Sequence, residues 1–430
     1  MLLDLLRLNK KIVIYGKGRS GKAIHKYLKL YDINSFLVDD ADGSSEDWFK
    51  QHPVADVLIV SPGVAPDKIS HLPYSVLVGT LDLELLLTEG FFKIGVTGSA
   101  GKSTTCNLLG HLLARSFVGG NFGNSFLDIP NSSEISCLII EASSYQLEYH
   151  KHSFFDCGVI TSIFPNHLKR HKTFENYLQA KLNLVRHIKG RGFLVCQKDF
   201  REFDLFLECA KKKDIEVVTV SQQDPNADVF LGSSKVQLNF LDTSVNFNEL
   251  DQLDPNSKTQ LALALPVAVK MGLDLKTALE KIRLYKPLPH RFETISVDPL
   301  IINDSKSTSL TSLVFSAKKL SSLVKNFNLI CGGRLKEGED LELLRKLFID
   351  LQDCIQLCIC FGESRKQFSL IAESAGIKTV LVEKLSNLDK AFLKHNTLFS
   401  PGAESFDEFC DYEERGAFFK EIVRDTYKLN

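Results

Sequence analysis

The sequence predicts an α/β fold in three domains. Short apolar runs alternate with helix-like segments along the whole chain, the pattern of parallel sheets covered by helices. Two of those runs lead directly into glycine turns that open helices. Lys286-Pro287-Leu288-Pro289 then breaks the pattern, because two prolines cannot continue a helix. The 430 residues have room for about three domains of roughly 100–200 residues each, with expected spans of 1–90, 91–287 and 288–430.

The elements follow in order. Lys11–Tyr15 reads as a strand, Gly16–Gly21 as a glycine turn, Lys22–Leu30 as a helix and Ser35–Asp39 as a second strand. The turn is a complete GxGxxG, with Asp39 ending the next strand 18 residues after Gly21, a setting that holds the diphosphate of a nucleotide. Asp56–Val60 is a buried strand that stops at Ser61-Pro62-Gly63. Ile94-Gly95-Val96-Thr97 then enters Gly98-Ser99-Ala100-Gly101-Lys102-Ser103-Thr104, and a helix opens around Cys106. Gly98 and Gly101 let backbone N–H groups turn toward an anion, and the helix adds its positive end. Lys102 can reach the outer phosphates, and the Ser103 or Thr104 hydroxyl can ligate Mg²⁺. Val96 stands where GxxxxGK[ST] has its first glycine, so this is the tighter GxxGKST loop of a nucleoside-triphosphate site.

Cys137–Glu141 and Cys157–Ile163 read as strands and Thr173–His187 as an amphipathic helix. A carboxylate at the carboxyl end of a strand points into the ligand crevice, so Glu141 is a candidate Mg²⁺ ligand, and His167 has a similar placement. Residues 190–250 read as less regular, with short antiparallel strands over Val229–Phe247. Beyond the linker, strands at Leu300–Asn303, Asn328–Cys331, Ile355–Phe361 and Lys378–Val382 alternate with helices. His290-Arg291-Phe292-Glu293 offers a fixed cation suited to phosphate, and Asn303–Thr308 packs an acid, a cation and hydroxyls into six residues.

Composition excludes several classes. A formal net charge of −1 argues against a general nucleic-acid binder. Ten scattered cysteines, with only Cys358 and Cys360 close together, show no metal-ligand spacing and suit reduced thiols in the cytoplasm. The stretch Met1–Arg7 reads as too charged and too short for a signal-peptide core, and the apolar stretch Leu261–Val269 is far short of the ~18 residues of a membrane span.

The order of these motifs resembles the Mur ligase family over nearly the whole chain. The likeness runs through GxGxxG, Ser61-Pro62-Gly63, TGSxGKST, Gly120-Asn121-Phe122-Gly123, Glu141–Leu147, Asn166-His167 and Ala180-Lys181-Leu182. It continues through Leu288–Glu293, Asp304–Thr308, Cys331-Gly332-Gly333 and Ser400-Pro401-Gly402-Ala403. Ala100, Asn166, Lys169 and Pro255–Thr259 depart from the family pattern. The resemblance implies a Rossmann-like N-terminal domain for a UDP-substrate, a central P-loop ATPase-like domain and a C-terminal Rossmann-like domain for an amino acid. It implies a cytoplasmic, monomeric ligase that uses ATP and Mg²⁺ to add D-glutamate to UDP-N-acetylmuramoyl-L-alanine through an acyl phosphate.

Carried over residue by residue, Gly98, Ser99, Gly101, Lys102, Ser103, Thr104, Asn256, Arg291 and Asp304 would bind ATP. Ser103, Glu141, His167 and a carbamylated Lys181 would hold metal. Lys102, His167 and Lys181 would serve catalysis. Gly16, Arg19, Ser20, Asp39, Gly63, Asn121, Ser143 and Gln146 would meet the UDP-substrate, and Lys306, Thr308, Lys336, Ser405 and Phe406 the D-glutamate. The alternatives are another Mur or folylpolyglutamate-type ligase, an NAD-dependent oxidoreductase built on Gly16–Gly21, and an NTP-driven switch.

Overall fold

Apolar runs with no polar face become strands buried on both sides. In the first sheet, β1 (Ile12–Tyr15), β2 (Ser35–Val38), β3 (Ala55–Val60) and β4 (Tyr74–Gly79) are all parallel, in the order β2-β1-β3-β4. Side chains alternate across it: Ile12, Ile14, Val57 and Ile59 pack with Ile24 and Leu28, whereas Val13, Tyr15, Leu58 and Val60 pack with Trp48. Each fully buried Ile or Val contributes about 1.5–3 kcal/mol. The computed structural model describes residues 10–121, 123–129, 134–232, 235–246, 255–286, 288–336 and 339–427. The chain divides into two units, Met1–Tyr285 and Lys286–Asn430.

The second sheet of the first unit comprises β5 (Phe92–Thr97), β6 (Ser116–Gly120), β7 (Cys137–Glu141), β8 (Phe155–Ile160), β9 (Ile188–Gln197), β10 (Glu216–Ser221), β11 (Val229–Leu231), β12 (Lys235–Leu238) and β13 (Thr243–Asn246). Its order is β13-β12-β11-β10-β9-β8-β5-β7-β6. Only the β11–β12 and β12–β13 pairs are antiparallel. Chain order therefore reverses around β5, and the crevice beyond a strand's carboxyl end at such a point is where α/β sheets bind ligands. The same reversal occurs in the first sheet between β1 and β3.

The second unit carries β14 (Glu293–Val297), β15 (Leu300–Asn303), β16 (Phe327–Gly332), β17 (Ile355–Phe361), β18 (Thr379–Val382) and β19 (Thr397–Gly402), ordered β14-β15-β19-β16-β17-β18. All pairs are parallel except β14–β15. Apolar clusters cover both faces.

Several expectations are corrected. Helix Arg19–Leu30 starts inside the glycine turn rather than at Lys22. Gly21 permits this, since a Cβ there would lie 2.0 Å from the Gly16 carbonyl oxygen. β8 ends at Ile160, not Ile163, as the chain leaves the sheet to wrap the loop after β5. The region expected to be irregular holds β9, helix Phe203–Lys211 and β10. Lys189, Gly190 and Arg191 are exposed and hide the start of β9 from any apolar pattern. β19 went unread because it contains Pro401, which argues against a strand. The antiparallel ribbon over Val229–Asn246 is present, with Phe247 outside the described residues, as are Met1–Arg7, Phe122 and Pro287.

Candidate active site

The loop after β5 is held from below by the strand beside it and by one helix. Gly98 lies so close to the residue that follows β8 that a Cβ would fall 1.9 Å from Thr161 Oγ1, and Gly101 takes φ +83°. The Ser99 N–H donates to the Ser162 carbonyl at 2.6 Å, and the Ala100 N–H donates to Ser162 Oγ at 3.1 Å. Ser99 Oγ donates to the Phe164 carbonyl and shares a 2.7 Å hydrogen bond with the Tyr177 hydroxyl. These two loop amides are thus spent within the protein. The amides that open helix Lys102–Leu112 have no intrahelical carbonyl to bond and supply the anion-binding end. Ser103 is buried and Thr104 half-buried in that first turn.

Two lysines converge on one carbonyl. Lys102 Nζ and Lys181 Nζ each donate to the Gly98 oxygen at 2.9 Å, and Lys181 also donates to Thr97 Oγ1 at 3.3 Å. Lys181 lies on helix Phe174–Arg186, which Thr173 caps, and is only 1 % exposed. Burial, then the charge of Lys102, push its amine well below the usual lysine range, with Glu141 opposing.

Glu141 ends β7 beside Val96 of β5 and is 2 % exposed. Its Oε1 accepts from Asn121 Nδ2 at 2.9 Å, while Oε2 is buried without a hydrogen-bond partner. A buried carboxylate oxygen in that state is costly unless a cation completes it, so the donor set fits Mg²⁺. His167 is placed differently. It is exposed, takes φ 56° at the start of a one-turn helix, and its Nδ1 lies 3.3 Å from the Tyr145 hydroxyl. The described residues bring His167 into no three-ligand cluster with Glu141.

A cavity of about 500 Å³ opens between the carboxyl ends of β1 and β3 and the loop after β6. Gly16, Arg19, Ser20, Asp39, Gly63, Asn121 and Gln146 line it. Asp39 does not face it freely: its Oδ2 accepts from the Lys17 N–H at 2.7 Å and its Oδ1 from the Ala41 N–H at 3.0 Å. Ser143 is absent from the lining; it forms a capping box with Gln146 at the start of helix Ser144–Glu148. Arg170, which the sequence did not single out, binds the Gly63 and Val64 carbonyls and Glu148. Tyr177 was also missed, although it sits one turn from Lys181 on the same helix face, which could have marked it.

In the second unit, the loops at the carboxyl ends of β15, β16 and β19 carry Asp304, Lys306, Thr308, Lys336, Ser405 and Phe406, and Arg291 lies just before β14. Asp304 is turned inward, where Oδ1 accepts from the Phe292 N–H at 3.1 Å and Oδ2 from Ser316 and Ser400. Desolvation outweighs these donors and raises its carboxyl to about 6. That carboxylate holds the turn after β15 through its bonds to Phe292, Ser316 and Ser400. Arg291 is half-buried between His290 (φ 61°) and Phe292 (φ 54°), two left-handed residues of the kind concentrated at functional sites. Lys306 Nζ lies 4.0 Å above the Tyr412 ring. Thr308 and Lys336 are half-buried, Ser405 is buried and Phe406 is 58 % exposed. Arg415, fully buried, joins two of the loops by bonding Ser305 Oγ, the Ser305 carbonyl and the Ala403 carbonyl. No sequence signal marked it, since arginine in an amphipathic helix reads as solvated. Asn256 lies in helix Pro255–Lys270, its side chain outside the described residues.

Known proteins show the same organisation. Residues 96–264 match the Mur ligase middle domain. The chain is 30 % identical over 461 aligned positions to a UDP-N-acetylmuramoylalanine--D-glutamate ligase of Leptospira interrogans, covering 96 % of each. It is 28 % identical to the ligase of that name from Oenococcus oeni, covering 97 % of each. Among solved structures, MurF from Acinetobacter baumannii superposes with a TM-score of 0.61 at 17 % identity, covering 87 % of this chain and 85 % of that one. The MurF ligase of Thermotoga maritima in complex with ADP gives 0.60 at 16 % identity, covering 97 % and 96 %. The fold is shared with these structures, and the full-length likeness at 30 % identity fixes the lineage: the chain belongs to the Mur ligase family of ATP-dependent, amide-bond-forming ligases.

Proposed function

We propose that this chain joins D-glutamate to the L-alanyl carboxylate of UDP-N-acetylmuramoyl-L-alanine, in peptidoglycan precursor synthesis. The observation that carries the reading is the convergence of Lys102, Lys181 and Glu141 on the loop after β5. The named relatives supply the choice of amino acid. Residues 1–90 would hold the UDP moiety, 91–287 ATP and 288–430 the amino acid.

The substrate carboxylate attacks the γ-phosphate to give an acyl phosphate and ADP, and the amine of D-glutamate then displaces phosphate. The protein contributes positioning and charge. Lys102 stabilises negative charge developing on the transferred group, and the amides opening its helix hold the phosphates. Bound Mg²⁺ would neutralise phosphate charge, with Glu141 Oε2 and the Ser103 hydroxyl as ligands. Lys181, whose amine burial biases toward the uncharged form, is suited to add CO₂ at Nζ and lose a proton, and the resulting carbamate would be an oxygen ligand. The exposed His167 is a weaker ligand candidate than Glu141. In the second unit, Lys306, Lys336, Thr308 and Ser405 are proposed to pair with the two carboxylates of D-glutamate, with Phe406 at the rim and Arg291 on a phosphate. Reduced thiols suit the cytoplasm, and we expect a monomer, which sedimentation checks.

The test is ADP release with UDP-N-acetylmuramoyl-L-alanine, ATP and Mg²⁺, comparing D-glutamate with L-glutamate, meso-diaminopimelate and glycine. D-glutamate alone should support turnover. Preference for another amino acid would move the chain to a different member of the family. An oxidoreductase reading leaves Lys102, Lys181 and Glu141 without a role.

A further inference from the structure

Three cysteines outside the proposed reaction converge in the second unit. Cys331 stands on β16 opposite Cys360 of β17, and Cys358 lies two residues earlier on β17. Residues i and i+2 of a strand share a face. All three sulfurs pack among Leu329, Leu344, Phe348 and Phe368, while Ile330, Ile359 and Phe361 pack on the opposite side. Each cysteine is 0 % exposed. Cys331 Sγ and Cys358 Sγ are 3.5 Å apart, Cys358 Sγ and Cys360 Sγ are 3.6 Å apart, and all three fall within 4.8 Å of one another. Sulfurs that each sit about 2.3 Å from a shared centre stand about 4 Å apart, close to this spacing. A disulfide needs about 2.0 Å. Among the described residues, no other trio of His, Cys, Asp or Glu is so gathered.

We propose that Cys331, Cys358 and Cys360 form a binding site for a trivalent thiol-seeking centre of the arsenite class. Charge selects the occupant. Three thiolates leave a net charge of −2 with a monovalent ion and −1 with a divalent one, but none with a trivalent one. An apolar pocket penalises net charge. The charged group acting on Cys360 is the Glu373 carboxylate, which opposes an anionic complex. Loading is a condensation: three As–O bonds break, three As–S bonds form, and three thiol protons leave with the three hydroxides as water. Arsenic keeps its oxidation state, so no oxidant or reductant is consumed. Because the sulfurs are buried, entry follows local opening of β16 and β17, and uptake is slow.

The full-length chain, kept reduced by a phosphine, is incubated with sodium arsenite and weighed by mass spectrometry. The expected product carries one arsenic with three hydrogens lost, formed faster in sub-denaturing urea. Peptide mapping after alkylation in denaturant should show Cys331, Cys358 and Cys360 protected together only in the arsenite-treated chain, a readout that needs no variant. Cys331→Ala, Cys358→Ala and Cys360→Ala, each checked for native circular dichroism and ADP release, should lose the three-hydrogen adduct and bind about 100-fold more weakly, the scale of one lost anchoring point. Absence of an adduct, equal uptake by the variants, or an adduct that has lost only two hydrogens overturns the site. Uptake of cadmium or copper(I) in preference to arsenite overturns the choice of occupant.

Discussion

Lys181 shows what burial does to a residue usually found at the surface. Its amine titrates near 10.5 in the unfolded chain and well below that in the folded one, so the folded state holds fewer protons. Stability is therefore lost as pH falls from above 10.5 toward the folded value. Lys181→Met removes that loss, and we expect it to raise the melting temperature at pH 7 while costing at least ~100-fold in turnover. Thermal melts beside ADP-release assays check the pair; a destabilised or fully active variant contradicts the assignment. Lys181→Ala should recover part of its turnover on addition of formate or acetate, each of which would supply an anion in place of the proposed carbamate. Lys102→Ala should keep native circular dichroism and lose about 100- to 1000-fold in rate, because its charge acts as the transition state forms. Near-normal ligation by that variant would remove Lys102 from the mechanism.

At the scale of elements, glycines decide where loops can meet strands. Gly98→Ala would drive a methyl group into Thr161 Oγ1, and the loop must move to escape. We expect a stability loss of about 1–3 kcal/mol and a larger loss of ATP affinity, measured by denaturant unfolding and nucleotide titration. Asp304 holds the turn after β15, and its carboxyl rises from 3.8 to about 6 on folding. The folded state then binds the extra proton between those values, so stability falls as pH rises from about 4 to 6 and levels off above. Asp304→Asn should flatten that slope, by about 3 kcal/mol at most, in unfolding of the second unit. Strands and loops with strong local signals were legible: the GxGxxG turn, the GxxGKST loop and the ribbon over Val229–Asn246. β9 and β19 were not, since exposed Lys189–Arg191 and Pro401 gave local cues opposite to their tertiary setting.

For the whole molecule, the residues at strand ends were readable because chemistry-bearing types sit there at fixed offsets. What escaped was the shell that holds them. Arg170 and Arg415 act through contacts distant in sequence, and neither periodicity nor a motif encodes such contacts. The Ser143–Gln146 capping box shows two polar side chains that satisfy their own helix, of which Gln146 also lines the cavity of the first unit. The two units have separate apolar cores. A substitution in the proposed amino-acid pocket of the second, away from Arg291, should therefore leave nucleotide binding by the first unchanged. Lys306→Met is expected to raise the KM for D-glutamate at least tenfold, about 1.4 kcal/mol, with ATP affinity preserved. Equal damage to both would place Lys306 outside the amino-acid pocket.

The Ser99–Tyr177 hydrogen bond and the Lys181 contact with Gly98 fasten one helix to the phosphate loop at two points. A loop fastened this way has surrendered its conformational freedom before any nucleotide arrives. Its ordering entropy is charged to folding, not to binding. The Ser99 and Ala100 amides should then exchange with deuterated water as slowly as those of the neighbouring sheet, with ATP changing their rates little. Tyr177→Phe, which cuts one fastening, should speed that exchange and make nucleotide binding entropically costlier at nearly unchanged enthalpy.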